Sequence, residues 1–238
     1  MRLPGGWELP EKIIQRFGQK GAGRQRAMVA DGHLLLVLHT VPAPKTDERE
    51  PMFFWRKPTG EWIFTGKGDG LNGLRKHVQA YEDAAQKMGA AYKHAANAED
   101  YFTILDDLVP LFHSARNLHA TLQDAREGIP EDRDIIDLRD AAYEIERDLD
   151  LLHADSKNAL DFSMAKQAEE QARIGMQELK SARRLNMLAA IFFPLTAIAG
   201  VFGMNLPHGF EHAPVAAFWS VFIFGIILGI FTCKWVTK

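Results

Sequence analysis

Cysteine is almost absent from this chain. Cys233 is the only cysteine among 238 residues, so neither an internal disulfide nor a zinc site built from several cysteines can support the fold. Basic runs with interleaved aromatic residues are also missing, and the formal net charge is only −3. This composition lacks the electrostatic pattern of a nucleic-acid-binding protein, and we predict no nucleic-acid partner.

Signals for secretion and for catalysis are missing as well. The N-terminal sequence MRLPGGWELPEKII has no apolar core of signal-peptide length. The segment GKGDG at residues 66–70 lacks the spacing and the following Ser or Thr of a phosphate-binding loop. The nine histidines are scattered without metal-ligand spacing. We therefore expect the charged part of the chain to lie in the cytoplasm, and we predict no enzymatic activity.

Charge disappears in the C-terminal quarter. No charged residue occurs from Leu185 to Pro207, about 23 residues, which is long enough to cross a hydrocarbon core of ~30 Å as a helix. A second uncharged run extends from Ala213 to Cys233. We predict a first transmembrane helix over residues 182–207, an external loop over 208–212, a second transmembrane helix over 213–234, and a tail over 235–238.

The basic residues predict the orientation of this hairpin. Lys180, Arg183 and Arg184 precede the first run, Lys234 and Lys238 follow the second, and the loop between them contains no Lys or Arg. Positively charged residues favour the cytoplasmic side of a membrane. We therefore predict a multi-pass protein of the cytoplasmic membrane with both termini in the cytoplasm.

The first 98 residues have the pattern of a small cytoplasmic α/β domain. Residues 1–25 are rich in glycine and charge, which predicts a loose lead-in with a helical turn near residues 11–17. Residues 27–65 contain apolar and aromatic runs separated by turn signals at Asp31-Gly32 and at residues 58–60, which is typical of a short antiparallel meander. An alanine-rich helix from Leu71 to Ala98 is expected to cover the sheet.

Residues 99–181 predict a helical hairpin that continues into a stalk. The first helix, about 99–127, contains Pro110, where we expect a kink or a break. After a turn at residues 128–130 the chain has no proline until Pro194, which predicts one helix of about 70 residues reaching through the first span. Its first part carries apolar residues in steps of three and four, typical of a heptad seam (Ile135, Leu138, Ala142, Ile145, Leu149 and Leu152).

The apolar positions change phase from Leu160 to Leu179, which indicates a change of partner along the helix. We expect the first part to pack against residues 100–127 and the second part to pack against other subunits.

The first span contains polar residues that are costly in a bilayer unless they face a partner or water. One face of the helix combines small, apolar and hydroxyl side chains, and we name it the stripe (Ala182, Leu185, Ala189, Phe193, Thr196 and Gly200), with Asn186 one position away. Around a symmetry axis the stripe would line a narrow pore. The competing interpretation is that Thr196 bonds its own backbone beside Pro194, and that Gly200 and Gly203 only allow close packing.

Residues 191–205, IFFPLTAIAGVFGMN, decide between these interpretations. They resemble the signature FxPLTxIAGxxGMN of the CorA family of divalent-cation channels, and they lie where that family places it, between a long charged helix and an external loop. The resemblance covers the chain from about residue 131 onward. It implies an all-helical membrane part in a homopentamer, with the first span around the pore, the second span outside it, and Mg²⁺ as the transported ion.

The resemblance also implies roles for individual residues. Gly203, Met204 and Asn205 would select the ion at the outer mouth, because a neutral amide oxygen suits the water shell of an ion that dehydrates reluctantly. Leu185 and Ala182 would form the hydrophobic gate. The pore lining would comprise Thr196, Gly200, Phe193, Ala189 and Asn186. Asn186 stands where the family commonly has Thr, and Ala182 where it has a larger apolar residue.

Acidic residues are candidates for a regulatory Mg²⁺ site, because family members sense cytoplasmic Mg²⁺ between subunits. The candidates are Glu169 and Glu170, followed by a cluster on the same predicted helix (Glu144, Glu146, Asp148 and Asp150). A solvated helix face is the simpler interpretation of these residues. His208 and His212, four residues apart in the loop beside Glu211, could bind a softer metal, although a solvated loop is the simpler interpretation.

The function predicted from the sequence is Mg²⁺ uptake through a homopentameric channel. One alternative is a Zn²⁺ or Co²⁺/Ni²⁺ transporter on the same scaffold. Met204 argues against zinc, because zinc transporters of this family typically replace that residue. The other alternative is a non-conducting, membrane-anchored coiled-coil scaffold.

Overall fold

The computed structural model describes residues 6–17, 23–43, 50–204 and 214–236. The chain divides into two compact units, Met1–Ala165 and Lys166–Lys238. The elements, in chain order, are α1 (Glu11–Ile14), β1 (Arg26–Ala30), β2 (His33–His39), β3 (Pro51–Arg56), β4 (Trp62–Phe64), α2 (Gly70–His94), α3 (Ala98–Gly128), α4 (Arg133–Phe202) and α5 (Val215–Val236). The chain is mostly helical with a small N-terminal sheet, as predicted.

The sheet of the first unit is the predicted meander. Its four strands pair in the order β1-β2-β3-β4, and every pair is antiparallel. Asp31 and Gly32 between β1 and β2 have φ values of 51° and 78°, the left-handed backbone that a tight two-residue hairpin turn requires. Alternate side chains of β2 point to opposite faces of the sheet, yet nearly all of them are buried. Both faces of the sheet are therefore covered.

The first face of the sheet packs against α2, as expected, and also against α3, which the sequence had not predicted. Leu36 and Phe54 on the sheet belong to one apolar cluster with Leu74 and Tyr81 of α2 and Leu118 of α3.

The second face contradicts the prediction of a loose lead-in. Leu9 and Ile13 are buried against Leu35 and Trp55 of the sheet, and Trp7 and Phe17 pack around them. The reason lies in β2, whose central residues are apolar on both sides. An uncovered face of that kind would leave large apolar side chains in water, and the segment around α1 covers it.

At Pro110 a kink or a break was predicted, and the break is wrong, because α3 continues through Pro110 to Gly128. A proline inside a helix costs ~3 kcal/mol. Leu108 and Leu111 flank Pro110 and are both buried in the core, and full burial of one leucine contributes ~1.5–3 kcal/mol. Packing of both halves of α3 on the same core therefore outweighs the lost hydrogen bond.

The heptad seam of α4 is confirmed. Leu152 is partly buried against the cluster that contains the inner face of α3. The other apolar positions of the seam are fully inside that cluster: Ile135, Leu138, Ala142, Ile145 and Leu149. The start of α4 is tied to the sheet by Asp132. One carboxylate oxygen of Asp132 accepts from Arg56 Nε at 2.6 Å, and the other accepts from the backbone N–H of Ile135 at 3.2 Å, which caps the helix.

A buried polar cluster joins the sheet to α2 and α3. The Tyr81 hydroxyl donates to the carbonyl of His39 at 2.8 Å and lies 2.7 Å from the Ser114 hydroxyl. His77, one turn before Tyr81, is only 7% exposed and lies against the rings of Phe54 and Tyr81. Burial lowers the pKa of His77 from its ordinary 6.5 to about 4, and a hydrogen bond to the backbone of His39 opposes part of that effect.

We expect the first unit to lose stability as the pH falls from about 6.5 to about 4. In that window the unfolded chain binds a proton at His77 that the folded chain excludes, so the free energy of unfolding falls by ~3 kcal/mol across it. Thermal unfolding of the full chain in detergent between pH 4 and pH 7 would measure this slope. His77→Leu should flatten it, whereas the same change at the exposed His113 should not. An unchanged slope in His77→Leu would exclude His77 as its origin.

Candidate functional site

The second unit contains two helical segments that are long and apolar enough to cross a membrane, one at the end of α4 and one in α5. In the apolar 18-residue segment of α4 no residue is buried, and in the corresponding segment of α5 only 11% of the residues are buried. Large apolar side chains such as Phe193 and Phe231 are more than two-thirds exposed. This exposure distinguishes both segments from the core helices of a soluble protein, and it suits helices surrounded by lipid.

α5 packs on α4 through two glycines, Gly225 and Gly229. A Cβ atom added at Gly229 would lie 2.6 Å from the carbonyl oxygen of Ile191. A Cβ atom added at Gly225 would lie 3.0 Å from the Leu195 side chain. Glycines four residues apart allow membrane helices to approach backbone to backbone. The contact face of α4 therefore comprises Ile191 and Leu195 with the residues around them.

A hydrogen bond between the two helices lies beside this close contact. Thr232 Oγ1 of α5 donates to the carbonyl oxygen of Ala190 in α4 at 2.8 Å. The same hydroxyl lies 2.9 Å from the carbonyl oxygen of Gly229 in its own helix. Ala190 is four residues before Pro194, which has no N–H to donate to that carbonyl. Thr232, Gly225 and Gly229 were not among the residues predicted from the sequence, although the spacing Gly-x-x-x-Gly indicates a close helix contact in a membrane.

An apolar crevice of about 320 Å³ lies between α4 and α5. It is lined by large side chains that include Phe202, Phe218 and Phe222. Packing between the two helices is therefore looser at this crevice than at Gly229.

The stripe lies on the opposite side of α4 from α5. At 100° per residue, the residues that contact α5 (Ala190, Ile191, Leu195 and Ile198) centre about half a turn away from the stripe. Phe193, Thr196 and Gly200 are exposed in the single chain, as are Ala182, Leu185 and Asn186, whereas Ala189 is half-buried. The second helix thus leaves the predicted pore-lining face uncovered.

Thr196 makes the local hydrogen bond of the competing interpretation. Its hydroxyl donates to the carbonyl of Phe192 at 2.8 Å. A hydroxyl that donates into its own helix keeps its oxygen lone pairs free to accept. Among the residues that the structure describes, no atom beyond the adjacent backbone of α4 lies within 4 Å of a Cβ added at Gly200, so close packing on α5 does not explain this glycine.

The Gly-Met-Asn segment follows the end of α4. The helix ends at Phe202, and the N–H of Gly203 still donates to the carbonyl of Ala199 at 2.9 Å. Met204 is 55% exposed. Asn205 and the predicted loop 208–212, with His208, Glu211 and His212, lie outside the described residues.

The acidic candidates are not gathered into a cluster within one chain. Glu169 and Glu170 are both exposed, and Glu170 pairs with Arg173 at 2.6 Å. Glu146 instead lies 2.6 Å from His119 of α3, and Glu144 lies 3.6 Å from Arg147. Within the part of the chain that the structure describes, no three His, Cys, Asp or Glu side chains come together as a metal site.

Comparison with known proteins identifies a family that matches most of the chain. Residues 69–238 match the family described as CorA-like Mg²⁺ transporter protein. The match begins well before residue 131, so the resemblance includes α2 and α3, which the sequence analysis had left out. No curated protein sequence matches the chain significantly.

Structural comparison also aligns the chain with two solved structures. The full-length CmaX protein has 15% sequence identity and a TM-score of 0.48, over 87% of this chain and 76% of that one. The CorA magnesium transporter from Methanocaldococcus jannaschii has 13% identity and a TM-score of 0.36, over 94% of this chain and 84% of that one.

Proposed function

Because the chain belongs to the family of CorA-like Mg²⁺ transporter proteins, we propose that it is a channel for Mg²⁺, built as a homopentamer in the cytoplasmic membrane. α4 surrounds the pore and α5 packs outside it. The observation that carries this proposal is the position of the stripe. α5 occupies the opposite face of α4. The face with Thr196 and Gly200 is left uncovered and can face the symmetry axis of the pentamer.

In this proposal Asn205 and the residues along the stripe have different chemical roles. Asn205 rings the outer mouth, where amide oxygens accept hydrogen bonds from the waters around Mg²⁺. The Thr196 hydroxyl, whose proton is committed to Phe192, presents an acceptor to the same waters further in. Leu185 and Ala182 form an apolar constriction that closes the pore by expelling water. Phe193, Ala189 and Asn186 complete the lining.

The proposed orientation follows the basic residues. Arg183 and Arg184 lie at the cytoplasmic end of the first span, and Lys234 lies at the cytoplasmic end of the second. The residues before α4 enters the membrane form the cytoplasmic part, divided at residue 98 into the α/β domain and the helical hairpin with its stalk. Glu169 and Glu170 on the stalk are the proposed regulatory Mg²⁺ ligands.

Influx into liposomes tests the proposal directly. The full chain, reconstituted with a Mg²⁺-sensitive dye inside, should admit Mg²⁺, and parallel measurements with Co²⁺, Ni²⁺ and Zn²⁺ should show weaker influx. Native mass spectrometry in mild detergent should give five subunits. Faster Zn²⁺ than Mg²⁺ influx would favour the zinc alternative. Background influx of every ion by a well-folded chain would favour the non-conducting scaffold.

Gly200→Leu separates the pore from the packing of the hairpin. No described part of the chain contacts a Cβ added at Gly200, so the larger side chain should leave the Tm unchanged or raise it. Five leucines around the axis should nevertheless obstruct water and lower Mg²⁺ influx ~10-fold or more. Gly175→Leu is the matched control, since Gly175 is also open but lies in the stalk. Equal influx in the two variants would place Gly200 away from the pore.

A further inference from the structure

The carbonyl of Ala190 lacks its usual hydrogen-bond donor within α4, and α5 supplies one. In a helix this carbonyl would accept from the N–H of residue 194, but Pro194 has no N–H. In a bilayer no water replaces the missing donor, so another group of the protein must supply it. Thr232 Oγ1 of α5 donates to the Ala190 carbonyl at 2.8 Å.

The close approach at Gly229 makes this hydrogen bond possible. A side chain at residue 229 would meet the backbone of Ile191 at 2.6 Å, so only glycine brings the two backbones near enough for a threonine hydroxyl to span them. The Thr232 hydroxyl has one proton and two acceptors within reach, Ala190 on α4 and Gly229 on its own helix, at 2.8 and 2.9 Å.

We propose that Thr232 is a positioning residue for the pore-lining helix. Its hydroxyl replaces the donor that Pro194 removes and holds the part of α4 around the proline in place. We name Thr232, Gly229 and the Ala190 carbonyl the latch. The effect on conduction rests on the proposed function. The hydrogen bond between Thr232 and Ala190 is independent of that function.

The latch acts on the stripe through the helix. Phe193 and Thr196 flank Pro194 and belong to the stripe, whose centre lies about half a turn from the centre of the residues that contact α5. A helix that lacks one backbone hydrogen bond can bend or turn locally at that point. A second bond from α5 restrains that movement and so sets the direction in which Thr196 faces. Rotation of the Thr232 hydroxyl, so that it donates to the Gly229 carbonyl instead of the Ala190 carbonyl, would release the restraint.

A double-mutant cycle tests the latch. Thr232→Val removes the hydroxyl with little change of shape, and Pro194→Ala returns an N–H to the Ala190 carbonyl. We expect Thr232→Val to lower the Tm of the full chain in detergent by ~2 °C when Pro194 is present, and by much less in the Pro194→Ala background. Mg²⁺ influx into liposomes should change at least ~2-fold in Thr232→Val and should be restored in Thr232→Ser.

Ser220→Ala is the matched control. Ser220 also lies in α5, but its hydroxyl donates to Ala216 in its own helix at 3.0 Å, so its removal should show no coupling to Pro194. Equal Tm losses for Thr232→Val in both backgrounds would overturn the latch. Coupled Tm losses with unchanged influx would overturn the positioning role. If Thr232→Val shows coupled Tm losses but the wild type admits no Mg²⁺, the hydrogen bond is supported and the channel is overturned.

Discussion

Mg²⁺ influx into liposomes is expected to fall to background when Asn205 is replaced by alanine. Mg²⁺ holds its water shell tightly, so a selective mouth must recognise the hydrated ion through groups that accept hydrogen bonds from those waters. An amide oxygen does this and a methyl group does not. In a pentamer the substitution removes five acceptors at once, and we expect a loss of ~10-fold or more in the rate of dye response.

The reason to choose Asn205 comes from the sequence, because the residue lies just beyond the described end of α4. It follows Gly203 and Met204 directly, and α4 ends at Phe202. Asn158→Ala provides a control with the same chemical change, since Asn158 is exposed on α4 in the first unit. Influx that persists in Asn205→Ala at the Asn158→Ala rate would exclude the amide ring as the selecting site.

The hairpin is expected to lose its packing when Gly229 is replaced by leucine. Even a Cβ atom at this position would lie 2.6 Å from Ile191 O and 3.0 Å from Ile191 Cα. Both are backbone atoms of α4, so the strain cannot be relieved by rotating a side chain. The helices must separate, which also breaks the bond between Thr232 and Ala190. Overpacking of this kind costs at least ~1–3 kcal/mol, and we expect the Tm in detergent to fall by ~5 °C or more.

Gly175→Leu is the comparison for this experiment. Gly175 also lies within α4, but in the described parts of the chain no atom beyond its own helix backbone is within 4 Å of its added Cβ. Replacing a helical glycine with leucine there should leave the Tm unchanged or raise it, because leucine favours the helix by up to ~1 kcal/mol. Similar Tm values for the two variants would mean that α5 does not approach α4 at Gly229.

The signature between residues 191 and 205 carried most of the functional prediction. It identified the family that the match over residues 69–238 then established. The physical pattern of the span was by itself compatible with two interpretations of Thr196. The hydrogen bond from Thr196 to Phe192 agrees with the local interpretation and leaves the oxygen able to accept, so the two interpretations do not exclude each other.

The amino-acid sequence by itself determined the features that depend on local pattern. The two apolar runs, the meander over residues 27–65 and the seam from Ile135 to Leu149 all follow from charge, turn residues and periodicity within a single segment. These properties report how a segment divides into apolar and polar faces. They do not report which distant segment will cover an apolar face.

Only the tertiary structure decided those pairings. The segment around α1 covers the second face of the sheet, α3 stays continuous through Pro110, and α5 takes the side of α4 opposite the stripe. In the first two cases the local preference was weak or adverse, and burial against residues far away in the chain outweighed it. The pairing of α5 with α4 instead depends on the close approach at Gly229 and on the hydrogen bond from Thr232. Thr232 shows the dependence on a distant segment most directly, because its partner is the carbonyl of Ala190, 42 residues away, and a proline between them in the sequence created the need for it.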